Sequence, residues 1–296
     1  MNNALTEQRP KFSVALQSDA YKKLINNTLG DPDRAKRFVA SISSAVAQTP
    51  ALQECDAKTI LTGALVGEAL ELSPSPVLGQ YYLLPFKNNK TGIPEAQFVL
   101  GAKGYVQLAI RSGQYKDIDY IEVREGEYKG RNKMNGKQEF EFIEDEEERL
   151  SRPIIGYMAY FELLNGFYKQ IYWSKEKMEQ HADKYSKAFN LADYKKLLAG
   201  QIPQKDLWKY SSYWYKDFDG MAFKTLLRQL ISKFGIMSIQ MQEAYSKDMA
   251  VMREDGQYDY VDNPEAEEAT IINSEEIEEK AEKEIKNKRV SLADIE

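Results

Sequence analysis

Between Ser73 and Gly79 the hydrophobic pattern of this chain changes its period, which points away from a fold built of helices alone or strands alone. Upstream, Asp31-Pro32 reads as an N-cap followed by proline at the first helical position. Phe38, Val39, Ile42 and Val46 then recur at helical spacing as far as Thr49-Pro50. Asp56 caps a second helix with Ile60, Leu61, Ala64, Leu65, Ala69 and Leu72 on its apolar side, ended by Ser73-Pro74. Downstream, Tyr81 to Leu84 is a short β-prone run ended by Pro85, and Ala96 to Leu100 is another. Lys87 to Gly92 between them has the turn residues of a hairpin loop. Gly101 to Ser112 fits a short helix stopped by Gly113. Ile118 to Val123, Ile154 to Phe161 and Phe167 to Trp173 read as strands, with Glu144 to Arg149 a charged loop. Ser174 caps a polar helix that runs towards Lys187, and Trp208 to Gln242 holds the longest helical pattern in the chain. The expected architecture is α+β: a small antiparallel sheet flanked by helices, then a tail after Met252, where the apolar density falls.

Composition excludes several classes of chemistry. The 296 residues include one cysteine, Cys55, and one histidine, His181. No intramolecular disulfide can form, and the pair cannot supply the ligands of an ordinary zinc site. No apolar run approaches the ~18 residues of a membrane span, and the first eleven residues lack a signal-peptide core. A soluble, cytoplasmic protein is expected. There is no G-x-x-x-x-G-K-[ST] phosphate loop, so an ATP-driven motor is not expected. The net charge of −6 hides an asymmetry. From Glu254 to Glu296 there are 15 acidic and five basic residues, which leaves 31 acidic and 35 basic in the rest. A mildly basic body therefore precedes an acidic tail. Within that tail Ile277, Ala281 and Ile285 recur every four residues, which suits either a solvated, disordered segment or a short helix docking on a partner.

Two constellations carry the functional reading. On a helix through Trp214–Gln242, Arg228 falls about 40 degrees from Lys224 and Asp217 about 20 degrees from it, while the apolar residues occupy the opposite arc. Lys224 and Arg228 thus share a stripe, with Thr225 at its flank. Such a stripe suits either an ordinary solvated face, with Asp217 as ion-pair partner, or a pair of phosphate contacts on a rigid element. The second constellation is Lys103, Tyr105, Arg111, Lys116 and Arg124, preceded by Gln80, Tyr81 and Tyr82. Cations alternating with rings and glycines suit single-stranded nucleic acid, where charge follows the backbone and rings stack on bases. The same tyrosines equally suit a core.

The ordered motifs Gly67-Glu68-Ala69-Leu70-Glu71-Leu72-Ser73-Pro74, Gln80-Tyr81-Tyr82-Leu83-Leu84-Pro85-Phe86, Gly101-Ala102-Lys103-Gly104-Tyr105 and Arg111-Ser112-Gly113-Gln114, followed by Trp214 and Met221-Ala222-Phe223-Lys224-Thr225-Leu226-Leu227-Arg228, resemble the RecT family of phage recombinases. The resemblance covers Ala35 to Gln242. It implies a core like that of the lambda Red beta annealing protein, a small antiparallel β-sheet packed on a long helix. The N-terminal helices flank that core and a disordered acidic tail follows it. It implies binding of single-stranded DNA, annealing to a complementary strand without ATP through a duplex intermediate, and assembly into a ring or helical filament. A phage 5′→3′ exonuclease and the host single-strand binding protein are the implied partners, and no membrane is involved. No cofactor is required by such a reaction, and Mg2+ enters only as a modulator of DNA binding. The implied DNA-binding residues are Lys103, Arg111, Lys224 and Arg228, then Tyr105, Lys116, Arg124 and Thr225. The divisions expected are an arm at 1–30, a helical oligomerisation region at 31–75, a DNA-binding and annealing core at 76–250, and a partner-binding tail at 251–296. The alternative is a metal-dependent, DNA-processing nuclease.

Overall fold

Local capping chemistry sets most of the helix starts. The computed structural model describes residues 11–87, 92–186, 188–210, 212–252 and 258–260. Two helices occupy much of the stretch expected to be an arm: α1 (Phe12–Ala15) and α2 (Asp19–Leu29), the second capped by the Ser18 hydroxyl. They are tied down by burial of Phe12, Leu16 and Ile25. In α3 (Pro32–Gln48) the Asp31 carboxylate accepts from the amides of Asp33 and Arg34, as its sequence predicts. After a 3-10 turn at Pro50–Glu54 comes α4 (Ala57–Ala69), capped by Asp56. Its Ile60, Leu61 and Ala64 are fully enclosed, and each such isoleucine or leucine contributes about 1.5–3 kcal/mol of burial. Arg34 ties α3 to α4 through a 2.6 Å bond from its Nε to Glu68. Cys55, just before α4, is buried, and burial pushes its thiol up to about 12.

β1 (Tyr81–Lys87) pairs antiparallel with β2 (Pro94–Leu100). Pro85 lies inside β1 and does not end it, because β1 is the edge of its sheet, where a missing N–H is tolerated. The expected turn at 88–91 lies outside the described residues. α5 (Ala102–Arg111) follows β2 directly, and Gly113 leads out of it at φ +66. Then come β3 (Tyr115–Arg124), the small hairpin β4 (Tyr128–Arg131) and β5 (Gln138–Phe140), and α6 (Glu146–Ser151). The charged loop expected at Glu144 to Arg149 is therefore largely a short helix. Asp145 caps it, its acidic first turn meets the positive end of the helix dipole, and Arg149 turns inward to Glu127 at 2.6 Å.

β6 (Ile154–Leu163), β7 (Tyr168–Ser174) and α7 (Lys175–Tyr185) fall where the sequence places them, α7 with Ser174 as its cap. α8 (Leu191–Leu198) and a 3-10 turn at Gln204–Lys209 follow. The helical pattern read from Trp208 to Gln242 is broken into α9 (Tyr213–Lys216), α10 (Phe218–Phe234) and α11 (Ile239–Lys247). The breaks have local causes: Asp217 leaves helical geometry to cap α10 through the Gly220 amide, and Gly235 stands extended after Phe234. β8 (Ala250–Met252) and β9 (Tyr258–Tyr260) close the described chain.

The fold is α+β. One sheet has the order β1-β2-β8-β9 and a second β3-β6-β7, all antiparallel. α10 packs on the second sheet along β6 and β7 and meets α5 as well. The core runs continuously from Ile60 and Leu61 of α4 through Phe98 and Leu100 of β2 to Leu226 and Leu227 of α10 and Phe161 of β6. The helices of 31–75 thus share the core of the sheets. β9 carries strand pairing beyond residue 251, and residues 261–296, most of the expected tail, lie outside the described residues.

Candidate nucleic-acid interface

α10 is covered on more than one side, and this decides the state of its cations. Lys224, expected on a solvent-facing stripe, is only 4% exposed. The helical wheel predicts one buried arc for α10, but α5 and the α11–β8 turn cover the other side too. The turn brings in Asp248, which is fully buried. Its carboxylate accepts four bonds: from the Leu100 amide at 2.9 Å, the Tyr105 hydroxyl at 3.0 Å, Lys224 Nζ at 2.8 Å and Arg228 Nη1 at 2.8 Å. Arg228 also lies over the Tyr245 ring, 4.0 Å from its centroid. Asp217, the ion-pair partner in the solvated-face reading of that stripe, caps α10 instead.

The electrostatics follow from burial against pairing. Burial opposes ionisation of Asp248, but Lys224 and Arg228 outweigh it and hold its carboxyl below 3.8. Burial lowers Lys224 below 10.5 despite Asp248. Burial also opposes the charge on Arg228, yet Tyr105 and Asp248 raise it overall, and burial raises Tyr105 well above 10. Tyr105 is thus a neutral donor, 2% exposed, and not a stacking platform. Two cations share one carboxylate, so the cluster carries one uncompensated positive charge.

That cluster borders two clefts. The larger, about 270 Å3, is lined by Tyr82, Lys103, Tyr120, Tyr213, Phe223 and Lys224 among others. Ring centroids are 5.7 Å apart for Tyr82–Tyr213 and 4.7 Å for Tyr120–Phe223. Lys103 is exposed at its rim, with no ion-pair partner among the described residues. The start of α5, at Gly101 and Ala102, also faces this cleft. A smaller cleft of about 70 Å3 lies against Lys224, Thr225, Arg228 and His181. Lys224 borders both.

Comparison with known proteins decides what kind of chain carries this arrangement. A family model described as the RecT family matches residues 36–261. The chain belongs to the RecT family. It is 36% identical over 275 residues to the uncharacterized protein YqaK of Bacillus subtilis (strain 168), across 93% of this chain and 83% of that protein. It is 28% identical over 248 residues to protein RecT of Escherichia coli (strain K12), across 78% of this chain and 81% of that one. Membership supports a role in recombination through single-strand annealing. The match runs beyond Gln242 and takes in Asp248 and β8.

In this RecT-family chain the expected site residues divide into groups. Tyr105, Lys224 and Arg228 converge on Asp248, and Lys103 shares the larger cleft with Lys224. Thr225 borders the smaller cleft, but its hydroxyl donates to the Met221 carbonyl one turn back. The other three hold structure. Arg111 donates to the Leu70 carbonyl at 2.6 Å and to Glu71, closing the end of α4. Lys116 is exposed but paired with Glu162 at 2.7 Å. Arg124 is buried and spans Glu122 and the carbonyls of Leu150 and Arg152. Neither cleft includes any of the three. Of the tyrosines that precede the second constellation, Tyr81 is core and Tyr82 lines the cleft.

Sequence reasoning missed Asp248 and Tyr213. Asp248 stands in an unremarked Lys-Asp-Met, 24 residues from Lys224, and its one signal is a single carboxylate between a helix and a short apolar run. Among the described residues no group of three or more His, Cys, Asp or Glu could hold a metal ion, and no helix is long and apolar enough to cross a membrane.

Proposed function

We propose that this chain binds single-stranded DNA by its phosphates and anneals it to a complementary strand without ATP. The observation that carries this reading is the unbalanced charge beneath the larger cleft. Lys224 and Arg228 share one carboxylate, and Lys103, with no ion-pair partner among the described residues, stands at the rim. A phosphate is the anion that completes such a set, and it is common to every sequence. Lys103 makes the direct contact, and the buried pair supplies the field behind it. The energy comes from base pairing and counterion release, so no group acts as acid, base or nucleophile and no cofactor is needed. Mg2+ modulates binding by competing for phosphates. Subunits form a ring or helical filament whose clefts hold one strand in register for the other, in the cytoplasm of a bacterial host. A phage 5′→3′ exonuclease supplies the strand, and the host single-strand binding protein is met on it, with residues after Tyr260 as the partner-binding segment.

The test is annealing of dye-labelled complementary oligonucleotides with and without ATP. Equal rates in both are expected. Lys103→Ala is expected to weaken binding alike on all sequences and to reduce the salt slope by about 1. An ATP requirement, or metal-dependent cutting of the labelled strand, would overturn the reading. Normal binding and annealing by folded Lys103→Ala would remove this cleft from the site.

A further inference from the structure

The larger cleft holds more than a backbone contact needs. Phosphates call for cations and amides on an open surface, whereas this cleft recedes between two ring pairs, Tyr82–Tyr213 and Tyr120–Phe223. Its volume of about 270 Å3 lies just under the roughly 300–1,000 Å3 of pockets that take drug-sized ligands, so it suits one ring system. Burial raises the hydroxyls of Tyr82, Tyr120 and Tyr213, which keeps them neutral donors.

We infer that this cleft is a base pocket: it takes one nucleobase turned out of the bound strand, stacked on the Tyr82–Tyr213 rings while the adjoining phosphate lies on Lys103. The inference rests on the single-strand binding reading above and adds a second ligand chemistry to it. Charge complementarity selects the occupant. Lys103 at the rim matches a phosphate. Asp217, also on the lining, uses one carboxylate oxygen to cap α10, and its other oxygen has no hydrogen-bond partner among the described residues. That oxygen can accept from a base N–H, which every base offers, so the pocket tolerates any sequence. An aliphatic side chain from a second copy of the chain would fill the apolar walls but leave both charges unmatched. Holding one base aside breaks the stack of the first strand, which leaves its neighbours to be tested singly by an incoming strand.

The experiment compares a 5′-labelled oligothymidylate with a strand of equal length whose bases are replaced by abasic tetrahydrofuran residues. Binding is followed by fluorescence anisotropy on the full chain. Wild type is expected to prefer the base-bearing strand by about 5- to 150-fold, the span of one stacked base. Tyr213→Ala is expected to weaken binding of that strand by a similar factor and to leave the abasic strand unchanged, while Tyr213→Phe keeps the preference. If Tyr213→Ala does not fold, Tyr82→Leu reads the same difference, and the wild-type comparison needs no variant. Equal affinity of wild type for both strands overturns the pocket, as does an equal loss on both strands in Tyr213→Ala. Loss of self-association with the base preference intact assigns the cleft to a second copy and overturns it too. Failure of wild type to bind either strand is a different result, and it removes the single-strand reading itself.

Discussion

Asp248 holds two buried cations with one carboxylate, so its loss is felt before any loss of DNA binding. Asp248→Ala leaves Lys224 and Arg228 side by side with no counter-charge, and the expected cost is about 3–5 kcal/mol in urea unfolding. Lys224→Met is expected to cost less, because the Arg228–Asp248 bond remains and the methionine keeps most of the bulk of the lysine stem. The pH dependence follows from linkage. The folded carboxyl of Asp248 sits below 3.8, so as pH falls the unfolded chain takes up the proton first. Its contribution is complete above 3.8 and is lost as pH falls through the lower, folded value. Urea midpoints of Asp248→Asn should therefore fall less steeply than wild type on that acid limb. Lys224 works in the opposite sense. Its folded value lies below 10.5, the unfolded chain holds the proton more tightly, and its charge becomes less costly to the fold as pH rises between the two. Lys224→Met should remove that alkaline gain.

At the scale of elements, the join between the start of β1 and the start of α5 places Lys103. A Cβ on Gly101 would lie 2.1 Å from the Gly79 carbonyl oxygen, and one on Gly104 would lie 2.1 Å from that of Gln80. Backbone meets backbone there, so neither side can yield by a rotamer change. Gly101→Ala is expected to lower stability by about 1–3 kcal/mol in thermal melts and to weaken DNA binding through displaced Lys103. Gly79-Gln80 and Gly101–Gly104 are therefore halves of one contact. Elements with local causes were legible in the sequence: Asp31, Asp56 and Ser174 sit at their helix starts, and each bonds amides two or three residues away. Contacts made across the chain were not. A helical wheel places Lys224 opposite the apolar arc of α10 but contains nothing of Asp248 or α5, which bury it. Arg111 and Arg124 looked alike as surface cations, yet each closes backbone carbonyls 26 to 41 residues away. Within the cleft, Tyr82 and Lys103 could be read from the motifs, whereas Tyr213 belongs to a short helix hidden in what read as one long pattern.

For the molecule as a whole, the continuous core and the uneven charge set different expectations for the two ends. Deleting residues 31–72 removes α4 and its enclosed Ile60 and Leu61, so the product should unfold and not simply become monomeric; circular dichroism decides between them. At the other end, residues 261–296 carry 12 acidic and five basic side chains, against 34 and 35 in residues 1–260. Truncation after Tyr260 should preserve β9 and raise DNA affinity at low salt, with the gain shrinking as screening shortens the reach of the tail's charge. Titrations at several salt concentrations test this. The position of Asp248 has a consequence for biosynthesis. Its partner amide at Leu100 lies 148 residues earlier, and β2 waits for β8 over a similar span. A ribosome has therefore synthesised Gly79, Gly101 and all of α10 before it adds the one carboxylate that pairs with both buried cations of that helix. Until then the nascent chain holds two cations that its own apolar contacts would bury. Completion of the fold is thus a late event, and it coincides with assembly of the surface proposed to meet DNA.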